Sequence, residues 1–291
     1  MTTTDDDRAE SVAARIIRAP DGVPIAVFPS GVSAGRPIVL VHGATADHTT
    51  WRTSGPRLGT RHPIHAVDRR GRGASGDGPP DNPYLMEREF DDLAAVVDAI
   101  AAEHGGPVDV VGHSYGGRVA LGAALRTIRL RRLVSYEGAP PAVDGPAYQE
   151  EDGRILVRLE QLVAAGDRDE ALAMFMREIV GMPEPELKAF RADPVWPLRA
   201  AAMSTTLREL RAEVEPAGSL AELGAVRQPV LQILGGSSGA AFGAATRALD
   251  RRLADGRIVT IDDARHAAHH THAAEFVAAV EAFLAEPDMA D

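Results

Sequence analysis

The stretch Val108-Asp-Val-Val-Gly-His-Ser-Tyr-Gly-Gly117 decides the fold of this chain. Val108 to Val111 form an apolar run of strand length, and from Tyr115 onward Val119, Leu121 and Leu125 recur on a helical face. A strand that passes into a helix within a few residues forces a sharp, strained turn, and Gly112 and Gly116 leave room for the close approach it demands. Ser114 sits at the apex of that turn, its hydroxyl lifted clear at a helix N-terminus. As a bare pentapeptide the pattern reads as a serine helix cap. The strand before it and the helix after it make Ser114 a candidate nucleophile.

Working outward, short apolar runs alternate with helical stretches, the pattern of an α/β chain with a mostly parallel sheet. Strands are expected at 23–28, 37–41, 62–67, 108–111, 130–136, 229–234 and 257–261, with helices at 87–103, 115–128 and 274–284. Each strand delivers polar residues at its C-terminal end, where ligands bind in open α/β sheets. Residues 140–218 hold no convincing strand, only helical runs such as 155–165 and 170–180 punctuated by prolines. They read as a helical cap inserted into a core of residues 13–139 and 219–285, with flexible tails at 1–12 and 286–291. Leu156, Leu159, Met174, Phe175, Met176 and Trp196 are expected to offer the cap's apolar pocket wall, although the same spacing suits a helical core.

Composition removes whole classes of function. The 291 residues are 45% hydrophobic and 25% charged, enough for a sizeable core. Acidic residues outnumber basic ones 42 to 31, for a formal charge of -11, which disfavours a nucleic-acid partner. Cysteine is absent, so disulfides, thiolate metal sites and a cysteine nucleophile are excluded. Lys188 is the only lysine, which leaves almost no candidate for Schiff-base or Walker-type chemistry. The acidic N-terminus lacks an apolar signal core and no window is long enough to span a membrane, so a cytoplasmic protein acting on a small molecule without a cofactor is expected.

A serine hydroxyl needs a base. Of ten histidines, His266 follows the last expected strand and completes the chain order serine, acid, histidine, whereas His113 adjoins Ser114 and points away from it. His42-Gly43-Ala44 ends an earlier strand, so the backbone N–H of Ala44, with that of Tyr115, is positioned to hold an oxyanion. His42 and Gly43 are expected to shape the substrate site. His269, His270 and His272 read as exposed residues of a helix N-terminus rather than metal ligands, and the arginine-rich run 68–75 as a structural turn rather than a phosphate site.

Val41-His-Gly43, Asp68-x-Arg70-Gly71-x-Gly73-x-Ser75, Gly112-His-Ser-Tyr-Gly-Gly117 and His266 with Phe276 ten residues later occur in an order that resembles the α/β-hydrolase superfamily, in its capped group of esterases, lactonases and cofactor-free haloperoxidases. The resemblance spans nearly the whole chain. It implies Ser114 as nucleophile, His266 as base, Ala44 and Tyr115 as oxyanion donors, and cleavage of an ester, lactone or similar acyl compound. One position departs from the pattern: the loop Gly235-Gly-Ser-Ser-Gly-Ala-Ala241 carries no carboxylate where relatives keep the third catalytic group. Ser237 stands there instead. Glu137, after the preceding sheet strand, is the candidate acid, with Asp262 and Asp263 left as neighbours too close to His266 in sequence for the usual geometry. A serine–histidine pair without an acid suits lyase, cyclase or perhydrolase chemistry, and a receptor that kept the pocket but lost turnover is a third reading.

Overall fold

Eight strands, β1 (Arg15–Arg18), β2 (Pro24–Gly31), β3 (Ile38–Val41), β4 (Pro63–Val67), β5 (Val108–His113), β6 (Leu130–Tyr136), β7 (Val230–Gly235) and β8 (Gly256–Ile261), form one sheet in the order β1-β2-β4-β3-β5-β6-β7-β8. The computed structural model describes residues 14–79, 83–142, 146–213 and 217–288. β2 runs antiparallel to β1 and β4, and the remaining pairings are parallel. This is the expected α/β architecture. β1 escaped the sequence reading because Ile17 is its sole buried residue, on an edge strand that pairs with β2 alone.

Alternation assigns the two sheet faces. Val39, Val41, Val110 and Leu133 pack on one side beneath the helices Met86–His104 and Tyr115–Ala124. Ile38, Leu40, Val111, Val134 and Tyr136 face the other side, with Trp51, Phe276 and Phe283, the last two from the helix Ala273–Leu284. Central strands covered on both faces need apolar residues at nearly every position, which is why β3 reads as an unbroken run.

Between β6 and β7 the chain forms the helices Pro146–Ala164, Arg168–Met174, Glu184–Arg191, Trp196–Ala201 and Met203–Ala212. The single helix expected at 170–180 widens after Met174 into a π-helical turn, Phe175–Ile179. Leu159, Met174, Phe175, Met176 and Trp196 bury one another in the insertion's own core, with Leu156 packed against it. Their spacing therefore reports packing that also reaches Ala44, and the pocket-wall expectation is corrected for all but Met174, which also lines a cavity with Leu162 and Arg177. At the C-terminus, Glu286 and Asp288 are ion-paired with Arg131, Arg132 and Arg257 rather than free. Of the expected flexible tails, residues 1–12 and 289–291 lie outside the described residues. Among the described residues, no helix is long and apolar enough to cross a membrane.

Candidate active site

Backbone strain gathers at one edge of the sheet. Among the described residues, the non-glycine residues with positive φ are Thr45 (59°), Ser114 (53°), Glu137 (48°) and Asp263 (58°), and they follow β3, β5, β6 and β8. Such conformations cost on the order of 1–3 kcal/mol each and persist only where the surroundings impose them. At Ser114 those surroundings are glycines. A Cβ on Gly116 would lie 2.3 Å from the His42 carbonyl oxygen, and one on Gly138 would lie 2.6 Å from Gly117 Cα. The strand ends thus pack backbone against backbone, with Ser114 opening the helix Tyr115–Ala124.

The structure brings His266 and Glu137 together. His266 Nδ1 lies 2.5 Å from Glu137 Oε2, and the second carboxylate oxygen accepts the Gly235 N–H at 2.8 Å. The carboxylate is buried and reaches across the end of β7, the strand after which a catalytic acid is ordinarily sought. Gly235 permits this arrangement, since a Cβ there would meet the Ala264 carbonyl oxygen at 2.7 Å. Asp262 and Asp263 are exposed and the imidazole bonds Glu137. With Nδ1–H donating to the carboxylate, Nε2 is left as the basic nitrogen. Ser114 Oγ and His266 share no hydrogen bond among the described residues; such contacts commonly tighten only when substrate binds.

Neighbouring rings hold His266 in place. Phe242 stacks on it at 4.5 Å between centroids, 25° from parallel. Tyr136 donates its hydroxyl proton to the Arg265 carbonyl and accepts the Ala268 N–H at 2.9 Å, bracing both sides of the histidine loop. Neither residue stood out in the sequence, because each lies outside every motif and its use depends on tertiary placement.

His113 and His42 are fixtures of the site. His113 Nε2–H donates to the His266 carbonyl at 2.7 Å, and burial followed by the charge of His266 pushes its pKa far down. His42 donates from Nδ1 to the Gly43 carbonyl at 2.8 Å and accepts the Arg69 N–H at Nε2, with burial and then Arg69 keeping it unprotonated. These bonds fix the turn that presents Ala44. The N–H groups of Ala44 and Tyr115 have no protein acceptor among the described residues. His269, expected to be exposed, is 1% exposed and lies 4.3 Å from the His113 ring and 5.2 Å from that of Trp51. His270 is partly buried as well, so the exposed reading is corrected for these two, while His272 stands at the N-terminus of the helix Ala273–Leu284 as expected. Trp196 is likewise placed away from its expected role: its indole N–H donates to Asp169 at 2.6 Å and its ring packs edge-on against Phe190.

The arginines of the 68–75 turn are bound to carboxylates. Arg69 lies between Glu89 and Glu209, each at 2.9 Å, and Arg72 meets Glu209 at 2.8 Å, all of them buried. Burial opposes the charge of Glu209, but Arg69 and Arg72 outweigh it and hold the pKa below the usual value. Arg69 also donates to the His42 and Gly43 carbonyls and stacks over Tyr115 at 4.7 Å, linking the insertion to both candidate oxyanion residues. Among the described residues, the group with potential metal-ligand atoms gathered together is Asp47, His48 and Asp68. Its oxygens already serve the loop: Asp68 accepts from the His48 and Ala74 N–H groups, and Asp47 from that of Thr49.

Comparison with known proteins matches this geometry to a family. The family model described as "Alpha/beta hydrolase family" matches residues 38–280. Pimeloyl-[acyl-carrier protein] methyl ester esterase of Neisseria meningitidis serogroup A is 29% identical over 271 residues, covering 87% of this chain and 80% of the relative. The crystal structure of an alpha/beta hydrolase from Sphaerobacter thermophilus superposes with a TM-score of 0.72 at 31% identity, covering 91% of this chain and all of that one. The enol-lactonase from Burkholderia xenovorans shares the fold, with a TM-score of 0.70 at 21% identity and coverage of 94% and 100%.

Proposed function

The chain belongs to the alpha/beta hydrolase family and is an enzyme of the hydrolase type, and from that premise we propose that it cleaves a carboxylic ester or lactone through an acyl-enzyme on Ser114. The observation that carries this reading is the buried Glu137 carboxylate 2.5 Å from His266 Nδ1. Ser114 Oγ attacks the substrate carbonyl while His266 Nε2 takes its proton, and Glu137 holds the imidazole tautomer and balances the imidazolium. The N–H groups of Ala44 and Tyr115 bear the oxyanion. His266 then protonates the departing alkoxide, and water, deprotonated by the same imidazole, releases the acid and restores Ser114. His42 and Gly43 shape the turn that presents Ala44, and the helical insertion acts as a cap over a small-molecule substrate. No step calls for a cofactor.

The lyase, cyclase or perhydrolase reading was motivated by an empty acid position after β7, and a carboxylate that reaches His266 from β6 removes that motive. A fluorophosphonate tests the proposal directly. Wild type should take up one equivalent on Ser114 and lose p-nitrophenyl butyrate hydrolysis in proportion, and Ser114→Ala should do neither. Unmodified Ser114 in an enzyme that still hydrolyses the ester would overturn it.

A further inference from the structure

Arg199 stands apart from the other arginines near the site. It projects from the insertion helix Trp196–Ala201, and its Nη2 donates to Thr50 Oγ1 at 3.2 Å. Thr50 is buried in the 3-10 turn His48–Trp51 after β3, its hydroxyl 3.3 Å from His269 Nε2 and 3.4 Å from His270 Nε2. The His269 ring in turn lies against that of His113, which precedes Ser114. Burial lowers the pKa of Arg199 to about 10, so it stays charged at neutral pH. Through Thr50 the guanidinium is joined to the His269 and His270 rings, which places it over the turn after β3.

Arg69, Arg70 and Arg72 each have a carboxylate within 3 Å. Among the described residues Arg199 forms no ion pair. Asp47 and Asp193 are near enough to favour its charge, yet they accept from the Thr49 and Val195 N–H groups. The fold therefore holds a half-buried planar fork of donors without a hydrogen-bonded carboxylate between the insertion and the turn after β3, where Thr50 joins it to His269, whose ring packs on that of His113 next to Ser114.

We propose that Arg199 receives a carboxylate of the substrate, so that the preferred substrates are esters or lactones bearing a free carboxylate away from the scissile carbonyl. The ester part rests on the hydrolase reading of Ser114, whereas the anion site does not. A guanidinium matches a carboxylate with two parallel N–H···O bonds. The charge count favours a monoanion over a phosphomonoester, which carries nearly two charges at neutral pH. The surrounding histidines are neutral, and Glu209 already engages Arg72.

The test compares monomethyl esters of the dicarboxylates malonate through adipate with methyl valerate, the neutral counterpart of monomethyl glutarate. Calorimetric binding of the free dicarboxylates and of phosphate runs alongside. Wild type should prefer at least one monoester, and Arg199→Gln should lower its selectivity over methyl valerate by about 10- to 100-fold, mainly through KM. Arg199→Lys, which keeps the charge and loses the fork, should fall between, and dicarboxylate binding should weaken in the same order. Dicarboxylate binding that depends on Arg199 in an enzyme that cleaves no ester would sink the hydrolase reading and leave the anion site standing. Ester hydrolysis with no preference for the monoesters and no dicarboxylate binding would overturn the Arg199 proposal alone, as would phosphate binding more tightly than every dicarboxylate.

Discussion

Replacing Glu137 by glutamine changes one atom and divides the carboxylate's two tasks. In the native site Oε1 accepts the Gly235 N–H and Oε2 accepts from His266 Nδ1. Glutamine can keep only one acceptor facing a donor. With its carbonyl toward Gly235, its NH2 faces the imidazole, which must move its proton to Nε2 and so loses the lone pair that would take the Ser114 proton. With its carbonyl toward His266, two N–H groups confront each other at Gly235, at a cost of roughly 1–3 kcal/mol for the buried unsatisfied donor. The first arrangement satisfies every hydrogen bond and is the one expected. It leaves the wrong tautomer and no negative charge beside the imidazolium, and the loss in kcat should reach about 10³- to 10⁴-fold. That is about 4–5.5 kcal/mol of transition-state stabilisation. Thermal unfolding should move by no more than about 3 °C, because the Gly235 bond survives. Steady-state hydrolysis of p-nitrophenyl butyrate and calorimetric melting of the same preparation read the two effects separately. A kcat within tenfold of wild type would rule out this role for Glu137, and so would a loss of activity accompanied by a large drop in Tm.

Four further outcomes follow from packing and charge. Glu209→Gln leaves Arg69 and Arg72 without a shared buried carboxylate, and should cost about 3–5 kcal/mol, read as a lower denaturation midpoint; a change under 1 kcal/mol would contradict the clamp between insertion and turn. His65, buried in β4 with its Nε2 3.2 Å from that of His104, has its pKa lowered to about 4, chiefly by burial. Its unfolded value is higher, about 6.5, so stability is complete above that pH and lost as pH falls toward 4, by about 2.5 kcal/mol at pH 4.5. His65→Gln should remove that part of the pH dependence in urea titrations at pH 7.5 and 4.5, and equal slopes for variant and wild type would be the contrary result. Gly116→Ala drives a methyl group into the His42 and Val41 carbonyls, so it should abolish fluorophosphonate labelling, whereas Gly153→Ala on a helix, where the added Cβ meets nothing within 4 Å, should raise stability by about 0.5–1 kcal/mol.

The sheet was legible because its central strands are buried on both faces and therefore written as unbroken apolar runs ending in glycine or polar residues. The turn at Ser114 was legible because glycine is demanded on both sides of it by backbone contact, a local constraint that leaves a local mark. β1 was not, since an edge strand with one buried residue needs no pattern. Glu137 could be named only through the resemblance, from the position after the preceding strand that some relatives use for the acid: nothing near it in sequence records that its carboxylate reaches Gly235 and His266. His269 was misread because a helix turn lying over Trp51 and His113 looks, in one dimension, like any exposed histidine cluster. Trp196 was misread because apolar spacing is the same for a pocket wall and for a core. Arg199 left no signal at all, because what sets it apart is a missing partner, and partners are decided by tertiary contact.

In the proposed mechanism Ser114 carries the acyl group between two half-reactions, with Glu137 orienting the histidine that drives both. Rapid acid quench of the enzyme during turnover of p-nitrophenyl butyrate, followed by peptide mass analysis, observes that state. A butyryl group confined to the peptide bearing Ser114, formed in a burst of at most one equivalent per chain and absent in Ser114→Ala, is the predicted result. Full turnover in Ser114→Ala, or an acyl group carried by a different residue, would contradict that mechanism.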